Sequence, residues 1–180
     1  MCRWLAYAGP SIYLDSLILK PKRSLISQSR AAYMSVSSIN ADGFGIGWYG
    51  EKETPGIYRD ILPAWNDANL QSLAEQIRSP LFFGHIRATT GTSVTRVNCH
   101  PFTYGRYMFM HNGKIGGFDQ VRRSLILAIA PSLFPLLQGT TDSEVFFLLL
   151  LTHGLESDPQ AAFAKTVAIV QYCRTCRLNR

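Results

Sequence analysis

The second residue of the chain, Cys2, is the first candidate for chemistry. Removal of Met1 would leave a thiol and a free α-amino group on the same residue. An α-amino group has a pKa of about 7.7–8.0 and is partly neutral at physiological pH, so it can act as the base for its own thiol. The alternative is that Cys2 is a small apolar residue of a strand, which is the usual role of a buried cysteine. Cys2 therefore indicates catalysis only together with other residues.

The tripeptide His111–Asn112–Gly113 contains groups that suit attack on an amide. A nucleophile that attacks an amide carbonyl requires hydrogen-bond donors at the position where the oxyanion forms. The side-chain amide of Asn112 and the backbone N–H of Gly113 would provide two such donors. The alternative is a plain hairpin turn, since Asn-Gly is the commonest signal for one. Taken alone, the tripeptide favours the turn.

Two charged residues match the two charged ends of an amino-acid substrate. Arg87 ends an apolar strand pattern close to Thr90, and a guanidinium suits forked recognition of a carboxylate. Asp142 lies within TTDSE, residues 140–144, and its carboxylate suits a substrate ammonium group. Both have structural alternatives. Arg87 can point to solvent from the strand end, and Asp142 can stabilise the first turn of a helix that begins with a capping box.

These residues depend on strands and helices that the apolar pattern predicts along the chain. Strands come first and helices later, which is typical of an α+β layered domain. The predicted strands cover residues 2–8, 43–50, 81–88 and 106–110. The predicted helices cover residues 66–78, 118–130, 141–154 and 158–172. Asn66 or Asp67 is expected to cap the first of these helices.

Composition favours a globular protein of one domain. The chain has 180 residues, of which 47% are hydrophobic, and this excludes a disordered polymer. The net charge of +6 forms no clustered stripe, so we expect no nucleic-acid partner. The most apolar run, residues 145–151, is far shorter than the roughly 18 residues of a membrane span, so we expect no membrane partner. Four cysteines are too few for a disulfide scaffold and no secretory signal opens the chain, which indicates a cytoplasmic protein.

The motifs follow one another in a defined order: Met-Cys at the start, then HIRATT, NCHPF, HNG and TDSE. Each motif is weak alone, but the ordered set resembles the glutaminase domain of class II glutamine amidotransferases. The chain is most similar to the single-domain amidotransferases that open with MCR and carry NADGFGIGW. The resemblance covers residues 1–170, and we expect residues 171–180 to form a basic tail outside the domain.

The resemblance implies a four-layer αββα N-terminal-nucleophile hydrolase sandwich and a role for each matching position. Cys2 would be the nucleophile and, through its α-amine, the base. The other matching positions would be the oxyanion-hole pair Asn112 and Gly113 and the substrate-binding set Arg87, Thr90 and Asp142. In that set, Arg87 would hold the α-carboxylate of glutamine or another γ-glutamyl substrate, and Asp142 would hold its α-amino group. The resemblance implies no metal ion and no cofactor.

The chain departs from the family pattern in two places. Ala88 stands where the family often has Trp, at a position associated with a lid contact. The family domain normally continues well beyond 180 residues with further strands, whereas this chain ends in VQYCRTCRLNR. We therefore expect a sandwich that is incomplete at its C-terminus, with an unpaired sheet edge.

Three hypotheses for the function are left open. The first is an amidohydrolase that opens a γ-glutamyl amide through a Cys2 thioester. It would release ammonia to an ammonia-accepting partner protein, or an amine from a substrate other than glutamine. The second is a truncated binding module without catalysis. The third is a metal protein that uses Cys99, His100 and the pair Cys173 and Cys176, although a lone CxxC motif is a weak zinc signal.

Overall fold

The strands of the chain assemble into two antiparallel sheets, one larger than the other. The protein is represented by a computed structural model, which describes residues 2–30, 41–88 and 92–178, with side chains as far as Thr175. The larger sheet has the strand order β1-β4-β2-β3 and consists of β1 (Arg3–Tyr13), β2 (Phe44–Trp48), β3 (Gly56–Asp60) and β4 (Arg78–Ile86). The smaller sheet consists of β5 (Phe102–Tyr104) and β6 (Tyr107–Phe109).

Helices occur both between the strands and after them. The helices between the strands are α1 (Asp15–Ile18), α2 (Leu25–Arg30) and α3 (Ala68–Gln76). The later helices are α4 (Phe118–Leu127), α5 (Asp142–Thr152) and α6 (Pro159–Leu178). The chain divides into two units, Met1–Asn112 and Gly113–Arg180, so that the described strands belong to the first unit and the second unit is helical. The predicted α+β class is confirmed.

One face of the larger sheet forms the main core of the first unit. Its buried apolar side chains come from the strands and from the helices and turns that pack on this face: Leu14, Ile18, Leu25, Phe44, Ile46, Leu70, Phe82 and Ile86. Helix α3 begins where predicted, because the Asp67 carboxylate accepts the Leu70 N–H at 2.7 Å. A cap of this kind stabilises a helix by about 1 kcal/mol.

The opposite face of β2 carries two glycines instead of side chains. Side chains alternate across a strand, so Gly45 and Gly47 face away from the buried ring of Phe44. A Cβ atom on Gly45 would overlap the His100 carbonyl oxygen, and one on Gly47 would overlap the Met108 sulfur. In the first unit, the smaller sheet and the segment before it therefore lie directly on this face of the larger sheet.

Helix α5 is the most deeply buried element of the second unit. One half of the predicted capping box is present, because Thr141 Oγ1 accepts the Glu144 N–H at 3.3 Å. The Glu144 carboxylate accepts the N–H groups of Gln138 and Gly139.

Helix α6 begins at Pro159, a residue that the first turn of a helix tolerates well. It continues to Leu178, beyond the end expected near Tyr172. The domain boundary proposed at residue 170 stays a prediction.

The interpretation of Asn112–Gly113 as a hairpin turn is wrong. The hairpin of the smaller sheet turns at Gly105, which has a φ of +53°. Residues 110–117 run from β6 to α4 without an intervening strand. Asn112 and Gly113 thus lie in a connection without regular secondary structure and not at a hairpin.

The close approach of the two sheets gives a stability prediction. Gly45→Ala is expected to lower the free energy of unfolding by about 1–3 kcal/mol, because the methyl group would force the His100 backbone away from β2. Gly50→Ala is the matched control, since a Cβ there meets no atom within 4 Å. Denaturant unfolding of both variants measures the difference. Equal stability of the two variants would contradict the packing described here.

Candidate active site

Cys2 lies immediately before β1, next to the end of β4. The strand register pairs Arg3 with Ile86, and one more step in the same register sets Cys2 opposite Arg87. The Cys2 sulfur accepts the Ala88 N–H at 3.3 Å, and the thiol donates to the Ala88 carbonyl oxygen at 3.5 Å. Cys2 is only half-buried. Backbone groups therefore hold the thiol next to Arg87 while part of the residue stays accessible.

Arg87 is a buried arginine and does not point to solvent, so the solvent-exposed alternative for this residue is wrong. It is 4% exposed, and its backbone N–H donates to the Gly43 carbonyl at 2.8 Å, which extends β4 by one residue. Its guanidinium donates to Thr92 Oγ1 at 2.5 Å and to the Asp42 carbonyl oxygen at 3.5 Å. These bonds fix the direction of the guanidinium beside Cys2.

Asn112 borders an apolar groove of about 360 Å³ in the first unit. The groove is lined by side chains from β1, β4 and the stretch that contains β6: Trp4, Ala6, Phe83, Met108, Phe109, Met110, His111 and Asn112. Trp4 is 54% exposed and lies two residues after Cys2 on the same face of β1. Asn112 therefore borders a groove on the face of the larger sheet that alternation also assigns to Cys2.

A pair of buried histidines lies on this same face. His85, two residues before Arg87 on β4, and His100 have ring centroids 4.3 Å apart. Both rings are nearly inaccessible to solvent, and their four nitrogens have no hydrogen-bond partner among the described residues. Burial and, to a smaller extent, the positive charge of Arg87 together lower the pKa of His85 to about 3. Burial also lowers the pKa of His100 well below its usual range, as does the neighbouring His85.

Sequence pattern alone indicates only part of this pair. His100 is one of the residues of the metal-protein hypothesis, but it is buried beside His85 and belongs to no group of three or more possible metal ligands among the described residues. His85 was not singled out, although it interrupts the apolar strand 81–88 at a position that alternation assigns to the same face as Arg87.

The second unit contains the other two predicted site residues, Gly113 and Asp142. Asp142 is the first residue of α5, where the helix N-terminus favours a negative charge. Its Oδ2 atom accepts the Ile115 N–H at 2.6 Å, so α5 is tied to the segment that begins at Gly113. That Asp142 and Cys2 belong to one site stays a prediction. The roles of the individual site residues also stay predictions. Thr90 lies outside the described residues.

Two negative findings concern only the part of the chain that the structure describes. Among those side chains, no group of three or more His, Cys, Asp or Glu residues is placed to hold a metal ion. Cys99, one of the residues of the metal-protein hypothesis, instead donates to the Asp60 carbonyl oxygen at 3.5 Å. No helix among residues 2–30, 41–88 and 92–178 has both the length and the apolar character needed to cross a membrane.

Comparison with known proteins assigns the family. Residues 24–173 match the model of the class II glutamine amidotransferases. The chain belongs to this family. A solved structure, the glutamine aminotransferase class-II domain protein from Silicibacter pomeroyi, superposes with a TM-score of 0.70 at 39% identity, over 93% of this chain and 62% of that one. The resemblance in fold and family that the ordered motifs predicted is confirmed.

Two curated relatives are enzymes of related chemistry. The chain is 39% identical over 160 residues to the probable glutamine amidotransferase DUG3 of Saccharomyces cerevisiae, which covers 84% of this chain and 45% of the relative. It is 30% identical over 159 residues to the γ-glutamyl-hercynylcysteine sulfoxide hydrolase of Mycobacterium tuberculosis, which covers 87% and 63% respectively. The chain thus spans less than two thirds of the length of either relative.

The buried histidines predict that acid weakens the fold. In the unfolded chain each imidazole binds a proton below about pH 6.5, whereas folded His85 binds one only near pH 3. The unfolded state therefore binds more protons between these values, and the free energy of unfolding falls as the pH falls through this window. The slope approaches about 1.4 kcal/mol per pH unit for each histidine.

Denaturant unfolding between pH 6.5 and 5, above the range in which most carboxylates titrate, measures this slope. In His85→Asn the slope is expected to fall by up to about 1.4 kcal/mol per pH unit, because the contribution of one ring is gone. The cavity that the substitution leaves changes the stability at every pH but not its slope. A slope that is the same in the wild type and in the variant would show that His85 is not the source.

Proposed function

We propose that the protein cleaves a γ-glutamyl amide through a thioester on Cys2. The observation that carries this proposal is the position of the Cys2 thiol, bonded to the Ala88 backbone and set opposite the buried Arg87. A nucleophilic sulfur and a fixed guanidinium on neighbouring strands suit a substrate that carries its scissile amide a few bonds from an α-carboxylate. Membership of a family of amide-cleaving enzymes supports the same chemistry.

The reaction requires that Cys2 be the first residue, since its own α-amine acts as the base. The amine takes the thiol proton as the sulfur attacks the γ-carbonyl carbon. The side-chain amide of Asn112 and the backbone N–H of Gly113 stabilise the oxyanion. Collapse of the tetrahedral species breaks the C–N bond, and the protonated α-amine gives its proton to the leaving nitrogen. Water then hydrolyses the thioester, which releases glutamate and restores the thiol.

Substrate recognition in this scheme involves the glutamyl half alone. Arg87 binds the α-carboxylate, Asp142 the α-amino group, and Thr90 lines the same end. None of these residues contacts the leaving amine, so glutamine and larger γ-glutamyl amides share the same recognition. Ammonia from glutamine would pass to a separate acceptor, whereas an amine from another γ-glutamyl substrate would be released directly.

Cys99 is unsuited to the same role. Its side chain is fully buried, and burial raises the pKa of its thiol. A thiol needs access and thiolate character to act as a nucleophile. Cys99 therefore serves as the internal control for Cys2.

The proposal is tested by labelling with 6-diazo-5-oxo-norleucine, an alkylator that mimics glutamine. The wild-type protein is expected to gain one label on Cys2, and intact-mass analysis is expected to find Met1 removed from the labelled molecules. Cys2→Ala should abolish labelling, whereas Cys99→Ala should leave it in place. Labelling that persists in Cys2→Ala, or that occurs with Met1 retained, would contradict the mechanism. A folded wild-type protein that takes no label would favour the inactive binding module.

A second prediction concerns the α-carboxylate. Arg87→Ala is expected to raise the KM for glutamine about tenfold to a hundredfold, because a charge-assisted hydrogen bond is lost. 4-Aminobutanamide, which is glutamine without its α-carboxylate, is the matched substrate, and its KM should change far less. Arg87→Lys should fall between the two enzymes, since it retains the charge but not the fork. An equal rise in KM for both substrates would assign Arg87 a purely structural role.

A further inference from the structure

The carboxylate of Asp142 makes a short hydrogen bond that substrate binding does not require. Its Oδ2 atom accepts the backbone N–H of Ile115 at 2.6 Å, across 27 positions of sequence. Hydrogen bonds from an N–H group to a carboxylate are charge-assisted and roughly twice as strong as neutral ones. This bond connects the first turn of α5 to the segment 113–117, which precedes α4.

Ile115 is the fixed point of that segment. Its side chain is only 7% exposed, and its carbonyl oxygen accepts the Phe118 N–H at 3.1 Å as α4 begins. Its own N–H is bound by Asp142. Gly113 lies two residues earlier and has no side chain that could anchor it. Gly113 lies on the same short segment, so a displacement of Ile115 would also move the Gly113 N–H.

We infer that Asp142 is also a positioning residue, which anchors Ile115 and thereby orients the oxyanion-hole N–H of Gly113. This inference rests on the proposed function, in which the same carboxylate binds the substrate ammonium group. An ionised carboxylate has about four acceptor positions on its two oxygens. Ile115 takes one on Oδ2 and the Ser143 hydroxyl donates to Oδ1 at a long 3.4 Å, so acceptor positions are left for an ammonium group.

The arrangement links recognition to catalysis within one side chain. Because Ile115 already fixes the Asp142 carboxylate, less conformational freedom is lost when the ammonium group binds. The same bond keeps the segment that carries Gly113 in place before the oxyanion forms. An oxyanion-hole donor is effective only when it is oriented in advance.

The variants Asp142→Asn and Asp142→Ala separate the two roles. Both remove the charge that would bind an ammonium group, but asparagine keeps a side-chain oxygen that can accept the Ile115 N–H. The probe is 4-carbamoylbutanoate, which is glutamine without its α-amino group, so ammonium recognition does not contribute. On this probe, the kcat of Asp142→Ala is expected to lie about tenfold to a hundredfold below that of Asp142→Asn. Equal kcat values for the two variants would overturn the inference.

Amide hydrogen exchange at Ile115 tests the anchor without turnover, so it separates failure of this inference from failure of the proposed function. The Ile115 amide is expected to exchange about tenfold more slowly in Asp142→Asn than in Asp142→Ala, once circular dichroism shows that both are folded. Equal exchange in the two folded variants would overturn the inference. If Asp142→Ala does not fold, the exchange rate of the Ile115 amide in the wild type is the test. Protection of its Ile115 amide supports the anchor, and exchange at the rate of an unprotected loop amide contradicts it.

Discussion

The pairing of β1 with β4 is the interaction on which the candidate site depends. The bond from Ala88 to the Cys2 sulfur joins residues 86 positions apart, and closing so long a loop costs conformational entropy. The ladder between the two strands and the burial of Phe82 and Ile86 beneath it offset that cost. A slip of one residue would turn every side chain of β1 to the other face and take the thiol away from Arg87. The register of this ladder therefore determines which residue at the end of β4 lies opposite Cys2.

The larger sheet uses its two faces differently. The face toward α1, α2 and α3 buries apolar side chains and supplies stability. The other face carries glycines, Arg87 and the histidine pair, which are poor choices for stability because buried polar groups are costly to desolvate. Such residues are tolerated because the first face already holds the sheet together. Residues on the face that carries Arg87 and the histidine pair can therefore change without loss of the apolar core on the other face.

Sequence pattern predicted the features that depend on interactions between residues close together in the chain. The caps at Asp67 and Thr141 were predicted because a single side chain and the next helical turn suffice to form them. Strand β3 escaped prediction, since its sequence GIYRD mixes polar and apolar residues and none of its residues is fully buried. Helix α6 was expected to end too early, because its last turns lack an apolar period although their residues are compatible with a helix.

The candidate site was predicted in composition but not in geometry. The order of the motifs made Cys2, Arg87 and Asn112 candidates. Residue type alone favoured an exposed Arg87, since arginines are rarely buried, whereas Arg87 is buried. Its burial results from pairing with Gly43 and from Cys2 on the neighbouring strand, which are long-range contacts. The bond between Asp142 and Ile115 likewise joins distant segments, so the sequence pattern of either segment does not predict it.

The way Ala88 holds the Cys2 sulfur has a consequence for how the family can vary. Both contacts use the main chain of residue 88, its N–H and its carbonyl, and neither uses the side chain. Any amino acid with an N–H can make them, so other residues could stand at position 88 without loss of the two contacts. A larger residue than Ala88 would change what surrounds the sulfur and not what holds it.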